Sequence, residues 1–309
     1  MANILLVTAP IYLVIGVGFL ATRNGVVSKT DGQALGRFVM NFALPAMLFN
    51  ALASRDFKEV LHADYFASYA LGSLFAFVFM FGLAKWGAQK STSLSAMMAL
   101  GSSSSNSGYI GYPIVLQLLG PVAGVGLALT LLVENLIVIP LGLSIAESGQ
   151  AEHASFARLM LESLKRLAKM QLMWGIMLGV AYSMLELQLP EVLGKTVNLF
   201  AAACAGVALF VNGCSLVGLQ VSGLAKQVSV IALTKLTLHP LGVAFFFWLF
   251  GPVDRYLVTT GIVLAAMPMM GIYPILGARF KLDGVCAAAL LVTTLLSFVT
   301  INAVLWWFS

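Results

Sequence analysis

The chain has 309 residues, of which 60% are hydrophobic and only 9% charged. A soluble domain carries roughly 25% charge, so an ordinary soluble enzyme or binding module does not fit. The formal net charge of +5 is no nucleic-acid signature either, because the basic residues sit in short loops between apolar runs, where they act as topology signals. Apolar runs of about 20 residues recur along the whole length, without the strict alternation of barrel strands, and predict an all-α polytopic membrane protein.

Ten spans are expected in chain order, at about 4–21, 38–53, 65–86, 94–119, 122–143, 171–187, 197–219, 228–250, 256–278 and 285–308. The first has no basic n-region and no cleavage site ahead of it, and reads as a retained span. The second passes through NFALPAMLFN, where Pro45 should bend the helix and Asn41 and Asn50 should bond to neighbouring helices. The fourth contains GSSSSNSGYIGYP at 101–113, a poor straight helix because its glycines loosen the backbone and Pro113 removes a donor. Gly120-Pro121 turns the chain into the fifth span, which carries Glu134 and Asn135.

A longer polar segment, 144–170, then joins the two halves. It reads as a surface helix with Phe156, Leu159, Met160, Leu164 and Leu167 on one face and Arg158, Lys165, Arg166 and Lys169 beside it. A linker fits that segment better than a regulatory surface. The eighth span holds Lys235, His239 and Pro240, and Gly251-Pro252 follows it. The ninth contains a second break, MPMMGIYP at 267–274, and the tenth ends in Trp306 and Trp307, rings favoured at a membrane interface.

The expected organisation is therefore 1–143, a first five-helix repeat; 144–170, a cytoplasmic linker; and 171–309, a second five-helix repeat. Five spans is an odd number, so the two halves must have opposite orientations. Both breaks end in Tyr-Pro-Ile, at Tyr112-Pro113-Ile114 and Tyr273-Pro274-Ile275, about half a chain apart. Counting basic residues on alternate sides puts Arg23, Lys29, Arg37, Lys85, Lys90, Arg158, Lys165, Arg166, Lys169, Lys226, Arg279 and Lys281 against Arg55, Lys58, Lys195 and Arg255. The richer side should be cytoplasmic, which faces both termini outward.

No enzyme constellation is present: no P-loop, no HExxH and no Gly-x-Ser-x-Gly. His62, His153 and His239 are far apart, Cys204, Cys214 and Cys286 read as packing residues, and no cofactor is expected. Paired broken helices in corresponding halves point instead to a transporter's binding site. Free N–H groups at a half-helix start attract an anion. The candidate binding residues are Ser104, Ser105, Asn106, Ser107, Gly108, Tyr109, Gly111 and Pro113 from the first break, and Pro268, Gly271, Ile272, Tyr273 and Pro274 from the second.

Lys235 is a further candidate for a substrate carboxylate. Intramembrane charges are expensive and default to functional roles, so Glu134, with Asn135 and His239, is a candidate for coupling to H+ or Na+. Glu134 and Lys235 could also neutralise each other.

NFALPAMLFN, SNSGYIGYPI and AAMPMMGIYPIL resemble the auxin efflux carrier family, and the resemblance runs over essentially the whole chain. The short central loop is similar to bacterial members, and MPMMGIYPIL to the malonate-carrier branch. This resemblance implies a ten-span inverted repeat with spans one, two, six and seven as scaffold, broken spans four and nine crossing at the substrate, elevator-type movement, and a homodimer through the scaffold. It carries Asn106 over as a carboxylate contact and Pro113 as the crossover proline. The expected function is secondary transport of a small organic anion, a mono- or dicarboxylate such as malonate, in the bacterial inner membrane. Export of indole-type weak acids, a channel and a membrane sensor are the alternatives.

Overall fold

A computed structural model describes residues 2–55, 62–150, 158, 160–162, 165, 168–219, 225–251 and 253–308. Among these residues the chain is helical, with no strand. The helices are α1 (Ala2–Arg23), α2 (Lys29–Ala53), α3 (Ala63–Gly87), α4a (Thr92–Ser103), α4b (Ser107–Gly111 running on into Tyr112–Leu119), α5 (Ala123–Ser148), α6 (Gln171–Met184), α7 (Glu191–Ser215), α8 (Ala225–Phe250), α9a (Arg255–Ala265), α9b (Tyr273–Ala278) and α10 (Asp283–Phe308). Six of them, α2, α3, α5, α7, α8 and α10, are long and apolar enough to cross a membrane.

Two helices start earlier than hydropathy predicts. α2 begins at Lys29 because Ser28 and Asp31 form a capping box: the Ser28 hydroxyl accepts from Asp31 N at 3.1 Å and the Asp31 carboxylate accepts from Ser28 N at 2.9 Å. α7 begins at Glu191, directly after Pro190. In the central segment Phe156, Leu159, Leu164, Arg166 and Leu167 lie outside the described residues. Arg158 is helical there and pairs with Glu162 at 3.1 Å.

Proline shapes the long helices in a repeated way. π turns occur at Val39–Ala43, Ser107–Gly111, Glu134–Val138 and Thr234–Leu238, and each ends two residues before a proline: Pro45, Pro113, Pro140 and Pro240. A proline ring clashes with the carbonyl four residues back, which in every case is the middle residue of the π turn. Widening that turn relieves the clash without ending the helix. A fifth π turn, Leu83–Gly87, lacks a following proline and lies at the end of α3. The tight turns after α4b and α8 use Gly120 (φ 71°) and Gly251 (φ 92°), a left-handed backbone that glycine adopts without strain.

The helices pack in two groups. α1, α2, α6 and α7 lie on one another, while α3, α4, α5, α8, α9 and α10 lie on one another. Small residues let backbones approach inside each group. A Cβ on Gly213 would run into the carbonyl oxygen of Ile15, and one on Gly18 into that of Phe210. A Cβ on Gly72 would meet the Val243 backbone at 2.5 Å, and one on Gly175 the Pro45 carbonyl oxygen at 2.6 Å. Overpacking of this kind costs about 1–3 kcal/mol. Gly213→Ala is therefore expected to lower the thermal midpoint by roughly 5 °C. Gly16→Ala is the control on the same helix pair: no atom lies within 4 Å of its Cβ position, and its midpoint should stay put.

Candidate functional site

The two breaks lie against each other. Between α4a and α4b the chain is non-helical at Ser104–Asn106, and between α9a and α9b at 266–272. The amide N–H of Asn106 donates to the Pro268 carbonyl at 2.7 Å, so backbone groups freed by one break satisfy the other. Glycines permit the approach. A Cβ on Gly101 would lie 2.6 Å from the Tyr273 ring, and one on Gly111 2.6 Å from Leu264. Tyr273 is fully buried and donates its hydroxyl to the Met97 carbonyl at 2.6 Å, tying α9b to α4a.

A buried acid and a buried base flank the first break. Glu134 Oε1 accepts from Ser105 N at 2.9 Å, Ser107 Oγ at 3.1 Å and Tyr69 OH at 3.3 Å. Its carboxyl thus sits at the start of α4b, where the helix dipole favours a negative charge. Lys235 Nζ donates to Ser105 Oγ at 2.7 Å and to the Ala265 carbonyl at 2.8 Å, and meets His239 Nδ1 at 2.8 Å. Ala265 is the last residue of α9a, where a positive charge complements the dipole. Ser105 joins the pair: its N–H faces the acid and its hydroxyl the base. His239 Nε2 in turn lies 2.9 Å from Ser73 Oγ, also buried.

Two asparagines meet on the other side of the break. Asn106 Nδ2 donates to Asn212 Oδ1 at 3.0 Å. Asn212 is 2% exposed, and its Nδ2 has no partner. Gly271 faces both side chains, with its Cβ position 3.9 Å from Asn106 Nδ2 and from Asn212 Oδ1. Among the described residues, Asn212 Nδ2 is the buried side-chain nitrogen left without a hydrogen bond. Such an orphan donor costs stability unless something fills its partner's place.

The structure gathers Ser105, Asn106, Ser107, Pro268, Gly271, Glu134, Lys235 and His239 into this region. Other predicted residues turn elsewhere. The Ser104 hydroxyl is bonded back to Leu100 O, Asn135 Nδ2 to Leu131 O, and Tyr109 OH reaches Gly36 O on α2. Gly108 faces Leu44, Ile272 is 47% exposed, Pro113 lies inside α4b just after its π turn, and Pro274 is in the first turn of α9b. Asn212, Tyr69 and Ser73 belong to the region although the sequence reading assigned them no role there. Each lies in an apolar run, and Gly213 beside Asn212 and Gly72 beside Ser73 are the local hints of close approach. A cleft of about 460 Å³ between Arg55, His62, Leu119, Val122, Asp254 and Tyr256 is separate and includes no break residue.

A family model described as membrane transport protein matches residues 4–305. A protein of Rhizobium meliloti named "Putative malonate transporter" is 26% identical over 99% of this chain and 96% of its own. "Uncharacterized transporter YfdV" of Escherichia coli is 27% identical over 75% of this chain and 74% of its own. The "Lysosomal cholesterol signaling protein" of Mus musculus is 26% identical over 71% of this chain but only 26% of its own.

Proposed function

The chain belongs to the auxin efflux carrier family of membrane transport proteins, and from that premise we propose that it is a secondary carrier of a small organic anion, a mono- or dicarboxylate such as malonate. It is a multi-pass membrane transporter and not an enzyme. The anion binds where the two broken helices meet. The observation that carries this reading is the pair of amide donors at the breaks: Asn106 Nδ2, and the buried, unpartnered Nδ2 of Asn212 beside Gly271. A carboxylate oxygen accepts from such donors. The name and full-length match of the Rhizobium meliloti relative support malonate as the first acid to try.

The spans form a ten-helix inverted repeat, with α1, α2, α6 and α7 as scaffold and the remaining helices as a bundle that moves past it as an elevator. The two packing groups support this division. Asn106 belongs to the bundle and Asn212 to the scaffold, so the donors approach from opposite sides of the sliding boundary. Elsewhere that boundary is made by side chains, such as Thr8 to Asn302 at 3.1 Å and Tyr12 to Ser297 at 3.0 Å. This reading includes a homodimer through the scaffold, whose helices expose apolar residues such as Leu13, Phe42, Trp174 and Leu199. The basic-residue count supports both termini facing outward, toward the periplasm in a bacterial inner membrane.

Uptake of labelled malonate into liposomes holding the purified protein, with sodium and pH gradients imposed separately, tests this reading. Saturable uptake is expected, and the effective gradient identifies the coupling ion. Competition by a panel that includes indole acids fixes the substrate class; strong competition by indole acids alone would favour the auxin-like alternative. Asn212→Ala is expected to raise the half-saturation concentration about tenfold, the effect of losing one hydrogen bond to a charged group. An unchanged value would remove Asn212 from the site.

A further inference from the structure

We infer that Lys235 supplies, as a side chain, the positive charge that a co-transported cation would otherwise bring to the crossover, so that this carrier runs without sodium. The inference rests on the crossover being the transport site. In carriers with broken helices, unwound carbonyls and the C-terminal ends of half-helices are where a coupling cation binds. Here that seat is filled from within the chain.

The donor set around Nζ carries the inference. Two of its three contacts are hard oxygens contributed by the breaks: the Ser105 hydroxyl at 2.7 Å and the carbonyl of Ala265, the last residue of α9a, at 2.8 Å. A hydroxyl and a main-chain carbonyl are ligands that an alkali cation takes. The third contact, His239 Nδ1 at 2.8 Å, is an acceptor when the ring donates from Nε2, and Nε2 lies 2.9 Å from Ser73 Oγ. Three acceptors at 2.7–2.8 Å match the three N–H donors of an ammonium group, at the lengths of charge-assisted bonds. The Lys235 side chain is fully buried, so the charge is held in place and not drawn toward water.

The counter-charge is also built in. Glu134 binds the N–H of the same Ser105 whose hydroxyl binds Lys235. Acid, serine and base therefore form one neutral unit across α5, α4 and α8. Such a unit can move with the bundle in both directions, and no cation has to enter or leave at this position.

Removing the ammonium while keeping the acid should open the seat to sodium. The reading is the thermal midpoint of the purified full-length protein in sodium chloride against choline chloride, for wild type, Lys235→Met, and Lys235→Met with Glu134→Gln. This measurement needs no transported acid, so it stays independent of the substrate assignment. The wild-type midpoint should be equal in the two salts. Lys235→Met should be destabilised in choline and recover by at least about 3 °C in sodium, as binding to the native state alone requires. The double variant should lose that response, since the buried negative charge that the ion would balance is gone.

Where Lys235→Met yields no folded protein in choline, the amount of monodisperse protein recovered in sodium is read instead. Sodium stabilisation of the wild type, or no sodium response in Lys235→Met, overturns the inference. In liposomes the same logic applies once an acid is found. Wild-type uptake should be equal with and without sodium, and Lys235→Met uptake should rise about tenfold on adding it. Failure to find any transported acid would count against the proposed function and leave the midpoint result standing.

Discussion

Asn106→Ala is expected to reduce uptake of the carried acid by about 10- to 100-fold while the protein still folds. The size follows from what the substitution removes. A hydrogen bond to a charged group contributes about 1.5–3 kcal/mol, and each 1.4 kcal/mol is a tenfold change. The main-chain contact from Asn106 N to the Pro268 carbonyl survives, because alanine keeps the N–H. The carbonyl of residue 106 also continues to accept from Ile110 and Gly111 at the start of α4b. Only the side-chain bond to Asn212 is lost, with a stability cost of about 1 kcal/mol. Asn106→Asp should be worse for transport than alanine, since it sets a negative charge against an anion. A thermal midpoint beside each uptake curve separates lost binding from lost fold. Normal half-saturation in the alanine variant would place the substrate elsewhere.

The second large effect is on stability. Glu134→Ala strips the partner from Ser105 N, Ser107 Oγ and Tyr69 OH at once and strands the buried Lys235 charge. Breaking a buried pair by removing one member costs about 3–5 kcal/mol. Much of the protein is then expected to aggregate during extraction, read as loss of the monodisperse peak on size exclusion and a strongly lowered thermal midpoint. Glu134→Gln keeps the shape and one acceptor oxygen, so its loss should be roughly half as large. A Glu134→Ala protein as stable as wild type would mean that the acid carries no structural charge. Its role would then have to be sought in transport alone.

The helical architecture was legible because burial in lipid demands long apolar runs, and these survive any uncertainty about ends. α2 and α7 start earlier than hydropathy indicates, since Lys29–Phe38 and the first turns of α7 are polar and are set by Ser28 and Pro190 instead. The breaks were legible from serine, glycine and proline at Gly101–Pro113 and Met267–Pro274, residues that make straight helix costly. The π turns before Pro45, Pro140 and Pro240 were not foreseen as a class, although the prolines stood in plain view.

At the site, Glu134 and Lys235 stood out as charges in apolar runs, and mutual neutralisation was one of the roles considered for them. Their shared attachment to Ser105 is a tertiary fact that spacing along the chain cannot encode, with Glu134 lying 29 residues and Lys235 130 residues further along. Lys235 was considered as a substrate contact. In this structure its three hydrogen-bonding positions are taken by Ser105, His239 and Ala265. Asn212 was not assigned to the site, because one amide in a scaffold helix carries little local signal of a binding role. Its significance appears only when Asn106 and Gly271 are brought beside it.

The most direct test of a carrier that alternates access to one anion site is counterflow. Liposomes holding the purified protein are loaded with a high concentration of unlabelled malonate and diluted into a trace of labelled malonate, with no ion gradient. The expected result is a transient accumulation of label above its equilibrium level, absent in Asn106→Ala, because outward-moving substrate returns the loaded site inward. Label that only drifts to equilibrium, at a rate indifferent to what is inside, would indicate a channel. No movement of malonate or of any competing acid would contradict a carboxylate carrier built on these two breaks.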